Sequence, residues 1–245
     1  NQDFREAIEY FRRKVNLSAD ERSRLPEGYH DWAFTVAGMT KADMIDSARW
    51  LVDRAIADGM SYEDFERQWN RLIRRRGWTP RGKGSESRRI YTIFDTNVRG
   101  GYGAGRDKQM NDPAVRSRRP LKLWRHRDSP NFRPLHKALH NVAIPADHGF
   151  WSSGRIPAGF GCRCSVHAIS ADYARRHGIR IETNPPDPKT IFDPGFRTPF
   201  NASNIQQQRQ QIFEDKMSGL NENLAGAIAA DIAAANPQNG DRKVL

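Results

Sequence analysis

Apolar residues in the first third of the chain recur with the period of amphipathic helices. A first helix is expected over residues 4–14, where apolar positions return every third or fourth residue. A second is expected to begin at the capping-box variant headed by Thr40, and a third at the similar signal headed by Ser61. Glycines follow both patterns, as is typical of helix ends. Residues 1–78 are therefore predicted to be helical.

A fourth helical pattern, over residues 89–110, contains glycines. Each glycine weakens a helix by about 1 kcal/mol relative to alanine. The segment is therefore expected either to break or to pack very closely against another backbone. The glycines are Gly100, Gly101, Gly103 and Gly105.

From Pro120 onward the pattern changes to short strands and turns. Residues 121–126 and 163–169 are predicted to be strands, and a short helix is expected to end at Gly178. After Glu182 the chain is rich in Pro, then in Gln and Ala, with little apolar surface.

These patterns predict an α+β fold. Three parts are expected: a helical module with a long basic helix (1–119), a small α+β domain (120–180) and a C-terminal arm (181–245). The arm is predicted to be extended and partly disordered, with short helices. No apolar run approaches the roughly 18 to 20 residues that a membrane span needs, so no membrane partner is expected.

Positive charge is concentrated in the middle of the chain. The formal net charge is +11, and residues 67–133 hold 19 Lys and Arg against five Asp and Glu. Such a basic belt favours binding to a polyanion, most simply the phosphates of double-stranded DNA. A solvated helix face and an acidic protein surface are the alternatives. The candidate DNA-binding residues are Arg74, Arg75, Arg76, Arg81, Lys83, Arg88, Arg89, Arg116, Arg118 and Arg119.

The two cysteines of the chain stand one residue apart, downstream of several histidines. Cys162, Cys164, His136 and His126 have the side chains that zinc prefers. A polar network is the interpretation that we favour: buried thiols, Arg163 paired with Asp128, and His136 donating to a backbone carbonyl. The further alternative is a metal-assisted, nuclease-like hydrolase that uses His126, Asp128, His136, Cys162 and Cys164.

The same region resembles a known family. It is similar to the phage Mu F-like head morphogenesis domain, which is related to the minor head proteins of SPP1-type phages. The resemblance covers roughly residues 1–170. The residues that carry it, which we expect to form a structural motif, are Trp124, Asp128, Arg133, His136, Trp151, Cys162, Arg163 and Cys164.

The resemblance implies a minor capsid protein of a tailed phage or phage-like particle. Such a protein would lie in the virion, inside the capsid near the portal, after assembly in the host cytoplasm. The portal protein, the major capsid protein or both would be its protein partners, and packaged double-stranded DNA would be contacted without regard to sequence. No enzymatic activity is expected, and no cofactor apart from the candidate structural zinc.

Overall fold

Helices dominate the first half of the folded chain, and a small sheet organises the second. The computed structural model describes residues 4–24, 31, 33–78, 85–128 and 132–200, which lie in one compact unit. The predicted α+β class is confirmed. Within these residues, no helix is both long and apolar enough to cross a bilayer.

The helical half buries a core of large side chains. Phe11, Phe34, Leu51, Phe65 and Trp69 are each at most 1% exposed and lie in one cluster. Short parallel strands β1 and β2 pair beside the helices. The elements are α1 (Arg5–Arg12), β1 (Val15–Asn16), α2 (Ala19–Ser23), β2 (Ala33–Phe34), α3 (Ala42–Ala57), α4 (Tyr62–Leu72) and α5 (Glu86–Met110).

Helix starts follow the expected signals in part. Ser61 caps α4 by accepting a hydrogen bond from the backbone N–H of Asp64 at 3.1 Å, as predicted. The capping box at Thr40 is wrong, because α3 begins one residue later, behind Lys41, without a side-chain cap. A complete capping box forms instead at Ser18 of α2.

Helix α5 runs without interruption through its glycines. Its 25 residues make a rod about 37 Å long. A Cβ added at Gly103 would lie 2.0 Å from the carbonyl oxygen of Ile156, and one at Gly105 would lie 2.6 Å from the ring of Phe4. Of the two expectations for this segment, close packing is therefore correct and a break is wrong.

The second half is built on a four-stranded sheet in the order β5-β3-β4-β6. Strand β3 pairs antiparallel with both neighbours, and β4 pairs parallel with β6. The elements are α6 (Pro113–Arg118), β3 (Leu121–Arg125), α7 (Pro134–Ala138), β4 (Val142–Pro145), β5 (Ser165–Ile169), α8 (Ala171–Arg176), β6 (Arg180–Ile181) and α9 (Pro188–Ile191).

Both faces of β3 are covered. Leu121 and Leu123 pack in one cluster with Ala174 of α8, whereas Trp124 packs in another with residues from the following loops. Lys122 is also buried; its Nζ lies 3.1 Å from Asp107 Oδ1, which ties β3 to α5.

Residues after 181 pack against the sheet half. Ile191, Phe192 and Phe196 are at most 5% exposed, and Asp193 N donates to the Ala158 carbonyl at 2.9 Å. The sequence assigned this stretch to an arm, but up to residue 200 it is part of the fold. The rest of the predicted arm, including its Gln-rich and Ala-rich helices, lies outside the described residues.

A buried ion cluster joins the two halves. Asp31 Oδ1 lies 3.2 Å from Arg155 Nη2 and 3.4 Å from Lys14 Nζ, and Asp31 also accepts from the Tyr10 hydroxyl. The side chains of the three charged residues are only 9–11% exposed. Burial alone would raise the pKa of Asp31, but the charges of Arg155 and Lys14 outweigh it and lower that pKa.

Candidate functional site

Two cysteines and two histidines meet at one end of the sheet. The Nδ1 atom of His136 lies 3.6 Å from Cys162 Sγ and 3.7 Å from Cys164 Sγ. Cys164 Sγ also lies 3.5 Å from Nδ1 of His126. The ligand atoms of His136, Cys162 and Cys164 all lie within 4.8 Å of one another, and these three residues are buried. The structure thus brings together all four residues that the sequence singled out as candidate zinc ligands.

The register between β3 and β5 explains why His126 and Cys164 lie close together. Arg125 of β3 stands opposite Ser165 of β5, so the next residue on one strand and the preceding residue on the other, His126 and Cys164, emerge side by side. Cys162 is held by a turn in which its N–H donates to the Gly159 carbonyl at 3.1 Å.

Helix α7 supplies the other histidine. It begins with Pro134 in its first turn, which is favourable there because proline has no N–H to leave unsatisfied. Two residues later, His136 is 2% exposed, and its Nε2 lies 2.8 Å from the Ile191 carbonyl oxygen. That oxygen can only accept, so Nε2 carries the proton and Nδ1 presents its lone pair to the sulfur atoms.

The predicted pair between Arg163 and Asp128 is wrong. Arg163 Nη2 instead lies 3.5 Å from the hydroxyl of Tyr91 on α5. Asp128 is 90% exposed, and its Oδ1 lies 3.5 Å from Nε2 of His126. Asp128 therefore faces the outer nitrogen of a histidine whose inner nitrogen faces Cys164.

The pKa values of the two thiols are shifted in opposite directions. A hydrogen bond from the Cys164 thiol lowers the pKa of Cys162 to about 4, with His136 acting in the same direction. The same hydrogen bond raises the pKa of Cys164. Burial opposes protonation of His136, but the hydrogen bond and charge of Cys162, together with the hydrogen bond to Ile191, outweigh burial and raise the pKa of the ring. The pocket thus favours a thiolate at Cys162.

Aromatic side chains close the cluster from the interior. Trp124 is fully buried, and its ring meets that of His136 edge to face with the centroids 5.6 Å apart. Within the described residues, Trp124 Nε1 has no nitrogen or oxygen hydrogen-bond partner. Its indole also acts to lower the pKa of Cys164, against the larger effect of Cys162. Trp151 is fixed separately, since its Nε1 donates to the Pro145 carbonyl at 3.0 Å.

Arg133 holds the segment around residue 193 in place. Its Nε donates to Asp193 Oδ1 at 3.2 Å, and a Cβ added at Gly159 would lie 2.1 Å from the other carboxylate oxygen. Asp193 and Ile191 were missed by sequence reasoning. Both lie in the Pro-rich stretch, where no pattern of apolar or charged residues marks them.

Two groups of the predicted DNA-binding arginines are exposed. Arg74, Arg75 and Arg76 form an exposed 3-10 turn after α4. Arg74 and Arg75 also line a hollow of about 560 Å³ with Arg67, Asn70 and Arg71. The second group lies on and just after α6, beyond the C-terminal end of α5, and consists of exposed Arg116, Arg118 and Arg119.

Four other residues were predicted to bind DNA, and the structure describes two of them. Arg88 is exposed and Arg89 half-buried in the first turn of α5. Arg81 and Lys83 lie outside the described residues. Lys122, which also lies in the basic belt, is buried and forms an ion pair with Asp107.

A smaller basic cavity lies between α5 and β5 and was not predicted. Its volume is about 290 Å³. Burial and the charge of Arg106, followed by those of Arg125 and Arg127, lower the pKa of His167 in its wall. The basic side chains that line it are Arg99, Arg106, Lys122, Arg127, Arg155, Arg163 and His167.

The chain thus combines a helical half with a small sheet half that carries the Cys-Arg-Cys motif. Residues 46–167 match the family described as Phage Mu protein F like protein. The chain belongs to the phage Mu F-like family, and the resemblance noted in its sequence is confirmed.

Two curated relatives support this assignment. Protein F of Escherichia phage Mu, whose name assigns it to capsid assembly, is 33% identical over 193 residues, which cover 72% of this chain and 43% of that protein. The Mu-like prophage FluMu F protein of Haemophilus influenzae is 32% identical over 169 residues, which cover 64% of this chain and 40% of that protein. The chain thus spans less than half the length of either relative. No solved structure matches the chain significantly.

Proposed function

We propose that this chain acts in phage head morphogenesis as part of a minor capsid protein that docks near the portal, inside the head, and contacts packaged DNA. Membership of the phage Mu F-like family and the name of the phage Mu relative support the role in assembly. In this proposal the portal or major capsid protein is the protein partner. The protein assembles in the host cytoplasm and ends in the virion.

The exposed arginines carry the proposal of DNA contact. Four arginines surround the hollow beside α4, and three more lie on or after α6, at the far end of a helix about 37 Å long. Guanidinium groups match phosphate oxygens in geometry and stay charged at every physiological pH. Contacts to phosphates orient a protein on DNA without reading sequence. This is what a protein that meets packaged DNA of any sequence needs.

Salt dependence of binding to duplexes of arbitrary sequence tests this surface. Each phosphate contact contributes about -0.9 to the slope of log K against log salt. The variant Arg71→Gln/Arg75→Gln removes two arginines of the hollow. We expect it to weaken binding for every duplex alike and to make the slope shallower by up to about 1.8.

A matched control comes from α8. Arg175→Gln/Arg176→Gln removes the same formal charge from exposed positions that do not line the hollow. An equal effect of both double variants would show that net charge, rather than this surface, governs binding. Weak, salt-independent binding by the parent chain would contradict DNA contact and favour an acidic protein surface as the partner of the arginines.

A map of the intact particle tests the location independently. Density for this domain on the capsid interior, beside the portal, is the expected result. The hollow formed by Arg67, Asn70, Arg71, Arg74 and Arg75 turned toward the outer solvent would contradict it.

A further inference from the structure

We infer that His136, Cys162 and Cys164 bind one Zn²⁺ ion, with His126 as the fourth ligand, and that the ion holds the sheet half together. The argument rests on the geometry of the cluster and on the groups that orient it. It goes beyond the proposed function, which needs no metal.

The distances between the ligand atoms are those of a tetrahedral zinc site. Zn–S bonds of about 2.3 Å and Zn–N bonds of about 2.0–2.1 Å at a tetrahedral angle place sulfur and nitrogen roughly 3.5–3.6 Å apart. The three sulfur–nitrogen distances are 3.6, 3.7 and 3.5 Å. His136, Cys162 and Cys164 thus have mutual distances close to those of a zinc site. His126 lies outside that set of three but already contacts Cys164, and in this proposal its side chain moves inward to complete the coordination.

His136 is oriented as metal ligands usually are. A ligating imidazole commonly donates its other N–H to a carbonyl or carboxylate, which fixes the ring and leaves the inner nitrogen unprotonated. His136 does so at 2.8 Å to the Ile191 carbonyl. The outer nitrogen of His126 lies 3.5 Å from Asp128 Oδ1 but has no hydrogen-bond partner within the described residues. His136 thus presents Nδ1 to both sulfurs, and His126 presents Nδ1 to that of Cys164.

The indole of Trp124 lies beside the same cluster. Its indole N–H is buried without a nitrogen or oxygen partner in the part of the chain that the structure describes. A hydrogen bond to the metal-bound sulfur of Cys164 would satisfy it, since thiolate sulfur accepts N–H better than a neutral thiol does.

The surroundings favour a structural ion over a catalytic one. His136, Cys162 and Cys164 are buried, and four protein ligands leave no coordination position for substrate. The ligands come from the end of β3, from α7 and from the loop before β5, and α9 supports them through Ile191. On binding, the ion would take two thiolates and two neutral imidazoles, and the thiol protons would pass to solvent.

The same cluster without metal would be a proton-sharing network of thiols and imidazoles, and metal content separates the two. The full chain, purified without chelator or nickel resin, should carry about one zinc per molecule by elemental analysis. Removing the zinc with a strong chelator should lower the melting temperature, and adding Zn²⁺ back should restore it. Titration with Co²⁺ should produce sulfur-to-cobalt charge-transfer absorption and the intense visible bands of tetrahedral coordination.

Variants locate the site. Cys162→Ser and Cys164→Ser should lose stoichiometric zinc. Asp128→Asn, which removes the carboxylate 3.5 Å from the outer nitrogen of His126, should weaken zinc affinity by less than about 10-fold and retain the site. His177→Asn is the matched control, because His177 is exposed at the end of α8 and stacks only on Tyr173 among the ring contacts described.

Thiol alkylation keeps the proposal testable if the serine variants fail to fold. In the parent chain, zinc should protect both cysteines from alkylation, and chelation should expose them. A chain that contains no zinc, binds no Co²⁺ and melts at the same temperature in chelator overturns the inference. A bound ion with an exchangeable water ligand would overturn the structural role and favour a hydrolytic site.

Discussion

Substitution of Gly103 tests the contact between α5 and the sheet half. An alanine Cβ at this position would lie 2.0 Å from the Ile156 carbonyl oxygen and 3.1 Å from its carbon, whereas ordinary contacts begin near 3.4 Å. Backbone would have to move by more than 1 Å, and overpacking of this kind costs roughly 1–3 kcal/mol or more. Gly→Ala within a helix returns about 1 kcal/mol. Gly103→Ala should therefore lower the free energy of unfolding by up to about 2 kcal/mol.

Gly100 provides the control within the same helix. An added Cβ there meets nothing within 4 Å in the described structure, so Gly100→Ala should raise the free energy of unfolding by up to about 1 kcal/mol. Urea denaturation of both variants, followed by tryptophan fluorescence, measures the difference, with equal m values required for comparison. If Gly103→Ala proved as stable as Gly100→Ala, the close approach of α5 to Ile156 would be refuted.

Two further predictions concern buried charges. Asp31→Asn should cost about 3 kcal/mol in thermal or urea unfolding, because Arg155 and Lys14 keep their charges beside it. Since the pKa of Asp31 is lowered in the folded state, the stability that it contributes is present above about pH 4 and lost as pH falls through the folded value. The parent should thus lose more stability than Asp31→Asn below pH 4; parallel acid profiles would contradict this. Lys122→Met alone should cost about 2–3 kcal/mol, and Asp107→Asn added to it should recover part of that loss. A double-mutant cycle with no coupling would show that the 3.1 Å pair is energetically irrelevant.

Elements with strong local patterns were predictable from sequence. α1, α3 and α4 have apolar stripes long enough to mark a helix. β3 begins with alternating apolar and polar residues, and β5 mixes small, polar and apolar residues after the Cys-Arg-Cys motif. The strands β4 and β6 were missed. β4 has only four residues and β6 two, so neither is long enough to show a period of its own.

The cysteines and histidines of the candidate site could be predicted from the sequence, but the groups that hold them in place could not. The sequence pointed to Cys162, Cys164, His136 and His126 through the types and closeness of these residues. It could not identify the Ile191 carbonyl, because any residue has one and the two partners stand 55 positions apart. The packing of Phe192 was missed for a similar reason, since Pro-rich flanks are typical of an extended arm.

Helix α5 also determines how the chain can be divided. Its first half contributes Ile90 to the helical core, and its second half meets Ile156 and holds Lys122 through Asp107. A fragment that ends between the two halves would expose one side of α5 to solvent. It would also remove the helix against which the sheet half packs. Shorter expression fragments should therefore retain 86–110 together with both neighbours, and fusion partners belong outside residues 4–200 rather than at the apparent border near 119.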